Sequence, residues 1–273
     1  MIMDSRLQLR VQRYGWDKAE PFYEKGWKES LKPAQELLLK MARLSEGEKV
    51  VDISCGTGIV SFQAARLVGP TGMVVGTDIS DKMIAASALK AKSLELENTS
   101  FKQMEAEKLA LDDETFDVAL NALGLMYYPN PEKAIEEMFR VLKPRGRAIS
   151  AVWGARKNCG WSEIFPIVDE RVNTDVCPLF FQLGTMDALA SLYQTTGFAK
   201  IQSELIHTTL HYASGSDAVN AVFAGGPVAM AYSRFDDKTR EEAHQAYLNS
   251  IRKYKRGEAY HIPGEFVVVS GER

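Results

Sequence analysis

Asp52, Gly56, Thr57 and Gly58 stand together where an apolar run, residues 50–53, gives way to a helical pattern. Glycines at that point let backbone come close to a bound molecule. The carboxylate of Asp52 puts a negative charge beside the same turn. Twenty-two positions beyond Gly56, a second apolar run, residues 74–77, ends in Asp78. A carboxylate at the carboxyl end of a second parallel strand can accept both hydroxyls of a ribose. The chemistry implied is capture of a nucleoside-bearing cofactor.

Two cofactor classes use such an arrangement, dinucleotides and S-adenosylmethionine, and the glycine spacing separates them. A dinucleotide fingerprint reads GxGxxG; here the third glycine position is Ser61, and Asp52 precedes the turn by four. A pyrophosphate is repelled by that carboxylate, whereas the ammonium of a methionine moiety is attracted to it. The charge pattern favours the sulfonium cofactor.

Residues that must converge need elements to carry them. Short β-rich runs at 49–53, 73–77, 99–104, 116–121 and 147–152 alternate with helical stretches. That alternation predicts a doubly wound, mostly parallel Rossmann-like sheet with helices on both faces. Ile59, Val60, Phe62, Ala65 and Leu67 mark one buried helix face, and Ala134, Ile135, Met138 and Leu142 another. Lys143, Pro144, Arg145 and Gly146 then turn the chain into a strand. Upstream, 33–44 reads as a helix, preceded by an aromatic lead over 14–27. Downstream come an irregular aromatic segment (153–181), helices near 186–195, 216–231 and 236–254, an extended run over 199–212 and a final β-branched run at 266–270. We expect one integrated domain: a lid over 1–45, a cofactor-binding core over 46–153, and cap elements that complete the sheet over 154–273.

The chain has 273 residues, a net charge of -3 and 45% hydrophobic residues, a globular balance without the basic field that a nucleic-acid partner requires. The first 13 residues mix charge with apolar side chains, so no secretion signal is expected, and no run reaches membrane-spanning length. The three cysteines, Cys55, Cys159 and Cys177, form no CxxC pair and suit a reduced, cytoplasmic protein without a metal. A role for Cys159 and Cys177 in binding a soft metalloid has no support from their neighbours.

With these residues in order, the stretch from about 14 to 153 resembles the class I methyltransferases related to the ubiquinone and menaquinone biosynthesis C-methyltransferases. The resemblance implies that Asp52, Gly56, Thr57 and Gly58 hold the methionine end of S-adenosylmethionine, and that Asp78 holds its ribose. It implies that Ile79 and Met83 flank the adenine, that the Glu105-Ala106 pair receives the adenine amino group, and that Asn121 and Ala122 face the methyl donor. It also implies a seven-stranded sheet whose last strand is antiparallel. Three positions depart from the family pattern: Glu105 stands for an aspartate, Arg145 for a glycine, and Ala122 for a serine. The second half of the chain, where acceptor specificity resides, resembles the group only loosely.

Trp16, Tyr23, Tyr127, Tyr128, Trp153 and Trp161 are expected to line an acceptor pocket, because loops after the fourth and fifth strands meet above such a sheet. The expected reaction is methyl transfer to a small-molecule acceptor at O, N or C, by in-line displacement from a sulfonium already primed to leave. If the acceptor must lose a proton, Tyr128, His207 and His211 are the candidate bases. Core packing for the aromatics, and a structural role for the histidines, are the plain alternatives. Rival functions are a quinone or phospholipid methyltransferase working at a membrane, a non-catalytic S-adenosylmethionine-binding module, and a nicotinamide oxidoreductase. No stable membrane insertion is expected, and a homodimer stays open.

Overall fold

The computed structural model describes residues 5–172 and 180–273. Its strands are β1 (Lys49–Ile53), β2 (Met73–Asp78), β3 (Thr99–Gln103), β4 (Phe116–Ala122), β5 (Leu142–Trp153), β6 (Ala199–Tyr212), β7 (Lys255–Arg256) and β8 (Ala259–Glu272). The helices are α1 (Ser5–Ala42), α2 (Ile59–Val68), α3 (Asp81–Ser93), α4 (Pro131–Val141), α5 (Ile164–Val172), α6 (Ala188–Thr196), α7 (Gly215–Phe223), α8 (Ala229–Tyr232) and α9 (Asp237–Ser250). Along the sheet the order is β3-β2-β1-β4-β5-β8-β6, with the short β7 hairpinned onto β8. Strands β1 to β5 pair in parallel, and β8 runs antiparallel between β5 and β6. The expected seven-strand path with an antiparallel last strand is therefore present, and β7 is an addition the sequence did not announce.

Burial explains the register. Val50, Val51, Val74, Val118, Ala119, Leu120, Ile149 and Ala151 are fully or almost fully enclosed. Strands with helices on both faces read as continuous apolar runs rather than alternating ones. The order reverses direction between β1 and β4, so their carboxyl ends part there and leave the crevice where ligands bind in doubly wound sheets.

Several expected boundaries are corrected. The helix expected over 33–44 and its aromatic lead are one 38-residue helix that passes through Pro21 and Pro33. Proline disfavours a helix interior because it lacks an amide hydrogen, but packing of this helix on β4, β5, β6 and β8 overrides that local preference. The helix expected over 216–231 is two, α7 and α8, separated at Gly225, Gly226 and Pro227. The stretch 236–254 holds α9 and then a 3₁₀ turn at Arg252–Tyr254. The final run is longer than expected, with β8 spanning Ala259–Glu272.

The departure at Arg145 has a visible cost. This residue sits at φ +69°, in the left-handed region that glycine favours, and its N–H donates to the Arg273 carbonyl at 2.9 Å. Glycine adopts that backbone freely. We expect Arg145→Gly to stabilise the fold by about 0.5–1 kcal/mol, read as a rise in thermal midpoint.

Candidate active site

Above the carboxyl ends of β1, β2 and β4 lies a cavity with about 930 Å3 of empty space. A smaller one, about 300 Å3, adjoins it beneath the glycine turn. The two share Tyr23, Ser54, Gly56 and Ala122 in their walls, so these four residues surround the junction.

Strain concentrates at this junction. Ser54 leaves β1 at φ +57° and Leu123 leaves β4 at φ +66°, both unusual for residues other than glycine, and both line the large cavity. Such backbone costs of order 1–3 kcal/mol per residue and gathers at ligand sites. Between them Gly58, at φ +86°, opens α2; a Cβ there would come within 2.5 Å of the Phe62 ring. Glycine at this position is required by both space and backbone angle.

The small cavity presents Asp52. Its side chain is buried, and Oδ2 accepts from the Ser61 hydroxyl at 2.5 Å. The other oxygen, Oδ1, is enclosed without a partner among the described residues. Ser61, which occupies the third glycine position of a dinucleotide fingerprint, thus aligns the acid that such a ligand would avoid. Burial pushes the Asp52 carboxyl up to about 7, and the charge of Asp78 adds to the rise while the Ser61 hydrogen bond opposes it.

Asp78 ends β2 and lines the large cavity. Its Oδ2 accepts from the Gly56 N–H at 2.9 Å and Oδ1 from the Ser80 N–H at 2.9 Å, so the acid is fixed against the glycine turn. Burial raises it to about 6 despite those hydrogen bonds. Ile79, Met83 and Ala106 line the same cavity, and Thr57 lines the small one. Gly58 borders neither; it shapes the turn.

Two expected contacts fall elsewhere. Glu105 is exposed, pairs in an isolated bridge with Lys108, and lines no part of the cavity; the acid that does is Glu107, whose Oε1 accepts from the Asn130 N–H at 2.7 Å. One turn of chain, absent from any periodicity, rotates the pair. Asn121 is fully buried beneath the site. Its Nδ2 donates to the Ile53 carbonyl at 3.1 Å and to the Tyr128 hydroxyl at 2.7 Å, while Oδ1 accepts from the Gly124 and Leu125 N–H groups. It ties the end of β4 to the end of β1, leaving Ala122 to face the junction.

The aromatic residues converge. Trp16, Tyr23, Tyr127, Tyr128, Trp153 and Trp161 all line the large cavity. Trp16 meets Tyr23 edge-on at 5.8 Å and Tyr127 at 5.1 Å. Helix α1 supplies Leu9, Gln12, Trp16, Tyr23, Trp27 and Leu31, which recur at helical spacing on one face. That face is held over the crevice by Arg13 on Asp81 (2.5 Å), Asp17 on the Ser80 hydroxyl (2.6 Å), Glu24 on Lys90 (2.7 Å) and the Trp27 indole on the Ala221 carbonyl (2.9 Å). Sequence patterning missed Leu9, Gln12 and the Gly226-Pro227 loop; the signal for Leu9 and Gln12 was spacing along a helix longer than expected.

The three candidate bases separate. Tyr128 is at the cavity, but its hydroxyl accepts from Asn121 and shares a 2.6 Å hydrogen bond with Ser54, and burial holds its proton far above the usual phenol range. His207 lines no cavity; its ring is largely exposed, with Nδ1 3.2 Å from the buried Glu265 carboxylate. His211 is exposed on the edge strand β6 against His261, ring centroids 4.7 Å apart. Cys159 is buried and its thiol is pushed up to about 12, chiefly by burial; Cys177 lies outside the described residues. No group of three or more metal-ligating side chains occurs among the described residues, and none of their helices is long and apolar enough to cross a membrane.

Comparison with known proteins agrees with this geometry. Residues 44–178 match the family model described as a methyltransferase domain. The chain is 33% identical over 128 residues to the demethylmenaquinone methyltransferase of Listeria welshimeri, covering 46% of this chain and 54% of that one. It is 40% identical over 105 residues to the ubiquinone/menaquinone biosynthesis C-methyltransferase of Pasteurella multocida, covering 38% and 39%. The chain thus spans about half the length, or less, of these relatives. Among solved structures, the YcgJ protein of Bacillus subtilis superposes with a TM-score of 0.63 at 18% identity over 89% of this chain and 98% of that one. A phosphoethanolamine N-methyltransferase of Haemonchus contortus gives 0.63 at 16% over 100% and 61%. Residues 44–178 thus carry the sequence of a methyltransferase domain.

Proposed function

We propose that this chain binds S-adenosylmethionine across the two adjoining cavities and transfers its methyl group to a small-molecule acceptor in the aromatic part of the larger one. The observation that carries this reading is the unpartnered Oδ1 of Asp52. A buried carboxylate oxygen without a donor is costly, and the methionine ammonium supplies both hydrogen and charge. Asp78 is the ribose acceptor on the same reading, with Ile79, Met83 and Ala106 around the adenine and Thr57 and Gly56 along the methionine.

When bound, the cofactor supplies an electrophilic methyl on a good leaving group. The protein's share is then to hold the acceptor in line and keep water out. Tyr23 and Ala122 flank the junction where the methyl would point, and the α1 face roofs it. Of the three candidate bases only Tyr128 lines the cavity, and its hydroxyl is engaged by Asn121 and Ser54. That suits an acceptor nucleophile that reacts without a protein base, such as an amine lone pair.

The relatives are named for demethylmenaquinone methylation and for C-methylation in ubiquinone and menaquinone biosynthesis, and the apolar aromatic lining supports a planar acceptor here as well. The site is complete within one chain, so a homodimer is not needed for it, and a cytoplasmic location suits its free thiols. Titration calorimetry of the full chain with S-adenosylmethionine, S-adenosylhomocysteine and NAD tests the reading. The two sulfur compounds are expected to bind and NAD is not; NAD binding alone would end it.

Tyr128→Phe supplies a second check. Loss of the hydroxyl leaves the Asn121 amide short of one acceptor, so stability should drop by about 1–2 kcal/mol in denaturant unfolding. Affinity for S-adenosylhomocysteine should stay within about threefold, because the hydroxyl supports the turn and does not touch the cofactor.

A further inference from the structure

Trp161 is fully buried, yet its indole N–H has no partner among the described residues. Its ring is surrounded by Trp27, Trp153, Phe165, Phe180 and Phe181, at centroid distances of 4.9 to 5.9 Å. None of these rings offers a lone pair. Indole nitrogens usually find an acceptor when buried, and among the described residues Trp161 borders the large cavity. The polar hydrogen is therefore held ready for something that enters there.

The charge of the lining narrows what that is. Among the described residues that wall the cavity there is no lysine, arginine or histidine, and the carboxylates are Asp78 and Glu107, at the end that the methyl-transfer reading gives to the nucleoside. An acceptor carrying a phosphate or carboxylate would lose its hydration with no cation to meet it, at a cost that an apolar wall cannot return. A neutral oxygen suits the site: a carbonyl or hydroxyl takes one hydrogen bond from an uncharged indole and leaves the rest of the molecule against aromatic faces.

We propose that Trp161 Nε1 donates a hydrogen bond to an uncharged oxygen of the methyl acceptor, making the site selective for neutral, planar, oxygen-bearing molecules over anionic ones. This rests on the methyl-transfer reading of the cavity. The residue touches the acceptor and no reacting atom, so it sets specificity rather than chemistry.

Three shape-matched probes test it on the full chain loaded with S-adenosylhomocysteine: 2-acetylnaphthalene, 2-ethylnaphthalene and 2-naphthoate. In the wild type the ketone should bind about tenfold tighter than the hydrocarbon, with the carboxylate weakest. The Trp161→Phe variant should erase the ketone's advantage while still binding S-adenosylhomocysteine. The indole N–H resonance that this variant lacks should move downfield in the wild type when the ketone is added and stay put with the hydrocarbon. Equal binding of ketone and hydrocarbon by the wild type, preference for the carboxylate, or failure of all three probes on the loaded protein overturns the proposal. If the wild type does not bind S-adenosylhomocysteine at all, the methyl-transfer reading itself fails, which is a different result. Should the variant not fold, the wild-type ratio and the resonance shift still decide.

Discussion

Asp78→Ala weakens S-adenosylhomocysteine binding by about a hundredfold, the loss expected when a carboxylate that accepts two hydroxyls is removed. Charge-assisted hydrogen bonds are the strong ones, and the other carboxylate of the lining, Glu107, already accepts from the Asn130 N–H. The same carboxylate holds the Gly56 and Ser80 amides, so the variant also loosens the glycine turn. Asp78→Asn separates the effects: it keeps one acceptor for the turn but has no charge. We expect it to fold, by circular dichroism, and still to bind at least tenfold more weakly in calorimetry. An Asp78→Asn variant with wild-type affinity would mean that the ribose does not rest there.

The second large effect is on pH. Asp52 titrates near 7 and Asp78 near 6, both raised first of all by burial. A cationic cofactor needs both as carboxylates, so binding expels protons and affinity rises with pH until both are ionised. Lowering the pH from 7.5 to 5.5 should weaken S-adenosylmethionine binding by more than about tenfold. Stability of the unliganded fold moves the other way. A carboxyl whose folded pKa lies above its unfolded value contributes stability that is present below the unfolded value. That contribution disappears as pH climbs through the folded one. The Asp52 contribution therefore falls away between about pH 4 and pH 7, and Asp52→Asn should flatten that part of the unfolding profile relative to the wild type. Parallel profiles for the two proteins would show that Asp52 is not the strained acid.

The core of the fold was legible because it is written in local signals. Mostly apolar runs at 50–53, 74–77 and 118–120 mark strands buried on both faces, and Gly56 and Gly58 mark a turn that glycine fits best. The acids at 52 and 78 follow from the same logic, since each sits where a strand meets that turn. What stayed hidden depends on contacts distant in sequence. Pro21 and Pro33 disguised a single helix whose continuity comes from packing on β4, β5 and β8. Glu105 and Glu107 both carry the right group, and only the path of the chain after β3 decides that Glu107 faces inward. Asn121 resembled a ligand contact because it follows β4, whereas its role is to bind the backbone of two strand ends. The convergence of the six aromatic residues followed from loops meeting above the sheet, but their pairing did not: Trp16 and Tyr127 are far apart in sequence yet 5.1 Å apart in space.

The account turns on one molecule occupying two cavities through the junction at Tyr23, Ser54, Gly56 and Ala122. A crystal structure of the chain with S-adenosylhomocysteine tests this most directly. It should place the ammonium on the free oxygen of Asp52, the ribose hydroxyls on Asp78 and the sulfur at the junction, with open volume toward Trp161. A nucleoside seated elsewhere, or an Asp52 oxygen still without a partner beside bound ligand, would contradict it.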